Sequence, residues 1–173
     1  VSIYFFYRLQ KIIILRLILA FELFALESKM SINWSQKYLL NISGVDDQHK
    51  RLFYLLDQNE ELYCKEKGNL INCIPQITST LFELEQYTIT HFLMEERAMA
   101  DSHYPDLENH RRLHVKFTND IQDFIRRINA DKSLKEESSL DEFVHKLLKF
   151  LRNWIAHHIQ IKDIEIKPYI KAL

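Results

Sequence analysis

Residues 91–114 read HFLMEERAMADSHYPDLENHRRLH. His91 and Glu95 stand four apart, His110 and His114 stand four apart, and Ser102-His103-Tyr104-Pro105 separates the two pairs. Four residues make about one turn of an α-helix, so each pair shares a helix face, and the Pro-bearing break makes two helices of them. Outward from this stretch the apolar positions keep the same rhythm of threes and fours. Upstream it runs Ile77, Leu81, Leu84, Thr88, His91, Glu95, Ala98. Downstream it runs Leu107, His110, His114, Phe117, Ile121, Phe124, Ile128. Metal-capable side chains therefore occupy steps that an amphipathic helix gives to its core.

The rest of the chain repeats the pattern. Val45, His49, Leu52, Leu56 and Tyr63 form an earlier helical stripe that stops at Gly68-Asn69, a fitting terminus. Leu140, Val144, Leu147, Leu151, Trp154, His158 and Ile161 form a later one, for which Ser138 or Ser139 is a candidate cap. With only two Gly and three Pro in 173 residues and no strand-like alternation, the fold class is all-α. Short connections make it an up-down-up-down antiparallel four-helix bundle. In that order, the starts of odd helices and the ends of even ones lie at the same end. His49, His91 with Glu95, His110 with His114, and His158 with Asp163 then meet at one level.

A single core-facing histidine is ordinarily a hydrogen-bonded structural residue. Seven polar groups gathered in one core are different, because each costs several kcal/mol if unsatisfied, against about 5–15 kcal/mol of net stability for a domain. Metal coordination satisfies imidazoles and carboxylates together. Five imidazoles and two carboxylates exceed the needs of one ion, and no thiolate is among them, which argues against a structural zinc site. Two ions sharing bridging carboxylates fit the count. Imidazole with carboxylate suits iron, and ligand type alone leaves manganese and zinc open. Cys64 and Cys73 have no zinc spacing and read as small buried residues near a helix–helix turn.

The net charge of −1 gives no basic surplus for nucleic acid, so the expected partner is a small molecule or another protein. Residues 1–29 form an apolar N-terminal extension in which Arg8, Lys11, Arg16 and Glu22 leave no apolar run longer than five residues. A membrane span wants about 18–20. The Ile, Leu and Phe side chains here contribute roughly −5 to −9 kcal/mol to insertion and a central Arg16 costs about +3, so the balance is marginal. No small-residue cleavage site follows, which argues against a signal peptide. The segment is read as an optional extension, translated from upstream of Met30, or as a membrane anchor, with a packed extra helix as a third reading. The expected domain is residues 30–173, in the cytoplasm or anchored to the membrane through residues 1–29.

Three motifs, GVDDQHKRL at Gly44–Leu52, HFLMEERAM with YP and HRRLH across His91–His114, and WIAHHIQIKD at Trp154–Asp163, carry a close resemblance to the hemerythrin family, and within it to bacterial hemerythrins. Trp34 and Tyr38 resemble the family's aromatic opening segment. The resemblance implies that His110, His114 and His158 bind one iron, that His49 and His91 bind the other, and that Glu95 and Asp163 bridge them with a solvent-derived oxo or hydroxo group. It implies reversible dioxygen binding at one iron, for carriage, storage or supply to an oxygen-using enzyme or a signalling partner. The expectation is a binding protein and not an enzyme, the alternatives being a di-iron oxidase or peroxidase and an iron-storage or oxygen-sensing protein. Trp154 and Ile155, one turn before His158, are candidates to line a dry oxygen pocket. Glu96, turned about 100° from Glu95 on a helix, reads as a solvated charge. His103 and His145 fall off the ligand steps and read as surface residues.

Overall fold

The chain's computed structural model describes residues 34–170. Four long helices follow one another: α1 (Ser43–Glu66), α2 (Ile74–Asp101), α3 (Leu107–Ala130) and α4 (Glu137–His157). The helix of α4 continues as a π-helical segment, His158–Asp163, and one further turn, Ile164–Ile166. Connections are a few residues long, so consecutive helices run antiparallel as a four-helix bundle. α1 packs on α2 and α4, and α2 packs on α3. Aromatic rings close the seam between α3 and α4, where Phe117 stacks on Trp154 at 3.8 Å and Phe124 meets Phe143 edge-on.

The core stripes predicted from spacing are largely the buried ones. Leu56, Leu84, Phe117, Ile121, Leu140, Leu147 and Leu151 are buried completely. Charged residues such as Lys50, Glu83, Lys116 and Lys146 lie on the opposite faces, exposed. A second apolar cluster of Leu40, Ile42, Val45, Met99, Tyr104, Ile166 and Ile170 closes the end of the bundle where α1 and α3 start. The Trp34 and Tyr38 rings pack on each other and on Phe53 of α1.

Helix ends follow backbone chemistry. Gly68 takes φ +86°, a left-handed conformation glycine adopts without steric cost, just past the end of α1. At the end of α2, His103 has φ +56°, its N–H donates to Ala100 O, and Tyr104 N–H donates to Met99 O. That pair of bonds is a Schellman cap, followed by Pro105. Cys73 is buried and Cys64 half-buried, both beside the α1–α2 connection. α4 begins at Glu137, with Glu136 as its N-cap residue and Leu140 N–H donating to Glu136 O. Ser138 and Ser139 are thus inside the first turn and do not cap it. The first turn is held differently: the Glu137 carboxylate accepts from Leu70 N–H at 2.7 Å and Ile71 N–H at 3.1 Å, tying α4 to the α1–α2 connection.

The expectation of membrane association, and of membrane anchoring as a location, is corrected. No helix among the described residues is long and apolar enough to cross a membrane. The long helices are amphipathic, with charged faces where a span needs about 20 predominantly apolar residues. Residues 1–29, on which that expectation rested, lie outside the described residues.

Candidate metal centre

Four helices each deliver polar side chains to one buried level. His49 comes from α1, His91 and Glu95 from α2, His110 and His114 from α3, and His158 and Asp163 from the π-helical continuation of α4. All seven are at most 3% exposed. Two overlapping groups have ligand atoms within 4.8 Å of one another: Glu95, His110, His114, His158 and Asp163 in one, His49, His91, Glu95 and Asp163 in the other. The two carboxylates are common to both.

The π-helix explains how Asp163 reaches the site. Five residues along a regular α-helix turn a side chain about 140° from His158, onto another face. Winding the backbone with i→i+5 hydrogen bonds brings the fifth residue back beneath the first. Asp163 Oδ1 then lies 3.0 Å from His158 Nε2. The same winding carries Ile161 out of the stripe predicted for it, and its side chain is exposed.

The distances are those of donors gathered around cations. His49 Nε2 is 3.2 Å from Asp163 Oδ2 and 3.5 Å from Glu95 Oε1, and His91 Nε2 is 3.5 Å from Glu95 Oε2. His110 Nε2 is 3.4 Å from Asp163 Oδ1, and His114 Nε2 is 3.6 Å from Glu95 Oε2. Two ligand atoms each about 2.1 Å from one ion and at right angles lie about 3 Å apart. The Nε2 atoms of His114 and His158 face each other at 3.0 Å.

Hydrogen bonds do not account for these atoms. His49 Nε2, His110 Nε2 and both carboxylate oxygens of Glu95 and Asp163 are buried without a hydrogen-bond partner. Leaving such groups unmatched costs about 1–3 kcal/mol each, and more when charged. A donor set of five imidazoles and two carboxylates fits two divalent cations of the iron type sharing carboxylates.

The electrostatics agree with that fit. Burial opposes a charged imidazole at His49, yet Asp163 and Glu95 push its pKa up to about 9. Burial lowers His91 to about 4, with the neighbouring His49 charge adding to the effect against the pull of Glu95. Burial, then His158 and His110, drives His114 well below the usual imidazole range. Burial alone would raise Asp163, but His158, His110 and His49 hold it well below the carboxylate range. Imidazoles held neutral at His91 and His114 beside an Asp163 carboxylate held ionised favour the binding of cations.

Two neighbours outside the predicted set orient ligand rings. Glu96 is not a solvated charge: its Oε1 accepts from His114 Nδ1 at 2.9 Å and its Oε2 accepts from Arg111 Nε at 3.0 Å. Gln48 Oε1 accepts from His91 Nδ1 at 2.9 Å, while its Nε2 donates to the Met94 sulfur at 2.7 Å. In each case the Nδ1 proton is engaged outward, so Nε2 presents a lone pair inward. Phe92 stacks on His114 at 3.7 Å and Trp154 on His158 at 4.2 Å, fixing ring planes. Gln48 sits beside His49 and Glu96 beside Glu95, and that adjacency to a ligand is the one signal in the sequence that marks them. His103, His145 and His157 are exposed.

A cavity of about 10 Å³ is lined by the ligand residues His91, His158 and Asp163 together with Phe92, Trp154 and Ile155. That is at the lower bound of the volume one water molecule needs, about 10–15 Å³. Thr88 contributes a hydroxyl to the wall, but that hydroxyl donates to Leu84 O at 2.7 Å. A wider surface groove of about 630 Å³, bordered by Met94, Arg97 and Tyr169, includes none of the ligand residues.

Comparison with known proteins gives the same answer. The profile of the family described as "Hemerythrin HHE cation binding domain" matches residues 40–170. Similar proteins include a bacteriohemerythrin of Clostridium acetobutylicum, 29% identical over 133 residues, which are 76% of this chain and 95% of that protein. A bacteriohemerythrin of Stenotrophomonas maltophilia is 24% identical over 139 residues, 80% of this chain and 81% of the other. A crystal structure of wild-type hemerythrin superposes with a TM-score of 0.66 at 24% identity, covering 82% of this chain and 98% of its own, a likeness of fold. With a family match that runs from Leu40, before α1, to Ile170, past the π-helical segment, the chain belongs to the hemerythrin family.

Proposed function

We propose that this protein binds dioxygen reversibly at a di-iron centre within a working domain of residues 30–173. The observation that carries the reading is the convergence of buried, unpartnered ligand atoms into two groups that share Glu95 and Asp163. In this reading His49 and His91 hold one iron, His110, His114 and His158 hold the other, and Glu95 and Asp163 bridge them. Two ferrous ions held so close together would supply the pair of electrons that dioxygen binding withdraws.

The protein's own residues set the conditions. Glu95 and Asp163, buried and common to both ligand groups, are the residues that would hold the two ions in one centre. Gln48 and Glu96 hold the Nδ1 protons of His91 and His114 and leave Nε2 to the metal. Trp154 and Ile155 form part of an apolar wall beside His91 and His158, with Phe92 closing it. A largely apolar wall limits the access of water and protons, which favours release of dioxygen over its further reduction. A His-rich ligand set carries less negative charge than a carboxylate-rich one and stabilises high-valent iron less, which also favours binding over oxidation chemistry.

Metal analysis and an optical spectrum test this directly. Protein prepared with iron should hold about two iron atoms per chain, in keeping with the two groups. The reduced protein should gain a visible charge-transfer band in air, lose it when oxygen is removed, and repeat the cycle. Irreversible oxidation at first contact, with iron still bound, would replace this reading by a di-iron oxidase or peroxidase.

A further inference from the structure

The two ligand groups are not held alike. His91, in the group with His49, donates to a neutral amide, Gln48 Oε1. His114, in the group with His110 and His158, donates to a carboxylate, Glu96 Oε1, at the same 2.9 Å. Glu96 is only 14% exposed, and its other oxygen accepts from Arg111 Nε, so the carboxylate cannot turn away from the ring. Arg111 and His114 stand three apart on α3, while Glu96 reaches them from α2, so the triangle also fixes the two helices against each other. Arg111 is held in turn by Glu108.

A carboxylate accepting from Nδ1–H draws the proton outward and makes Nε2 a stronger donor to a metal than an amide acceptor does. We infer that Glu96 is a positioning residue that makes the centre electronically unequal, stabilising the ferric state of the iron held by His110, His114 and His158 more than that of the iron held by His49 and His91. This rests on the di-iron reading above. Arg111 moderates the effect, because its guanidinium withdraws charge from the same carboxylate. Glu96 and Arg111 therefore act in opposite senses on one imidazole, which a merely structural pair would not do.

The test uses the full chain loaded with iron, with iron content and reduction potential measured for wild type, Glu96→Gln and Arg111→Gln. Glu96→Gln keeps an acceptor and removes its charge, so the potential should rise and iron affinity should fall by about 10–100-fold. Arg111→Gln leaves the carboxylate uncompensated, so the potential should fall. If Glu96→Gln does not fold, the downward shift in Arg111→Gln decides the matter alone. Two irons bound at an unchanged potential in both variants, or shifts of the same sign in both, overturn the role of Glu96 and leave the di-iron reading standing. Wild-type protein that takes up no iron overturns the di-iron reading itself.

Discussion

At the scale of single residues, the site rests on which face of a helix a side chain occupies. His110 and His114 are buried among the ligand atoms, whereas His103 is exposed at the cap of α2. Substituting His110 or His114 by Ala should sharply lower the iron bound per chain, and His103→Ala should leave it unchanged. His157 and His158 make a stricter pair, because neighbours on a helix point about 100° apart. His157 is exposed and His158 buried, so only His158→Ala should lose iron. Ile155 carries a different expectation. It is 2% exposed and borders the small cavity, so Ile155→Phe should weaken oxygen binding while iron content holds. Loss of the metal in that variant would show that the wall and the ligands are not separable.

At the scale of elements, sequence periodicity was a reliable guide where the helix was regular. The 3-4 rhythm placed His49, His91, Glu95, His110, His114 and His158 on inward faces, and the structure gathers those residues with Asp163. It could not show the π-helical winding, because the choice between i→i+4 and i→i+5 bonding after His157 depends on what the side chains meet. Ile161 was accordingly placed inside and lies outside. Glu96 departs from its sequence expectation for a related reason: it points away from Glu95 on α2 as helix geometry requires, but there it meets Arg111 and His114 of α3 and not solvent. The start of α4 shows the same limit. Serines that looked like caps yield to Glu137, whose carboxylate binds two backbone N–H groups of the α1–α2 connection. Glu137→Ala should lower the unfolding free energy by about 1–2 kcal/mol, seen as a lower urea midpoint, with iron content unchanged.

At the scale of the whole molecule, every ligand atom and every core stripe lies between α1 and the π-helical segment. A chain begun at Met30 should therefore fold with its full helix content and bind about two irons. Aggregation or loss of iron in that chain would make residues 1–29 part of the working fold. The π-helical segment has a further consequence, which concerns rates of opening. His158 begins this segment and Asp163 ends it, and Ile166 and Ile170 follow into the apolar cluster at the end of the bundle. Without a metal, wide-wound backbone is the natural place for the chain to open, and the terminal turn would open with it. A metal gripped from both ends of the segment would act as a latch. Amide hydrogens of residues 158–170 should exchange with deuterium much more slowly once iron is bound, while those in the middle of α3 change little.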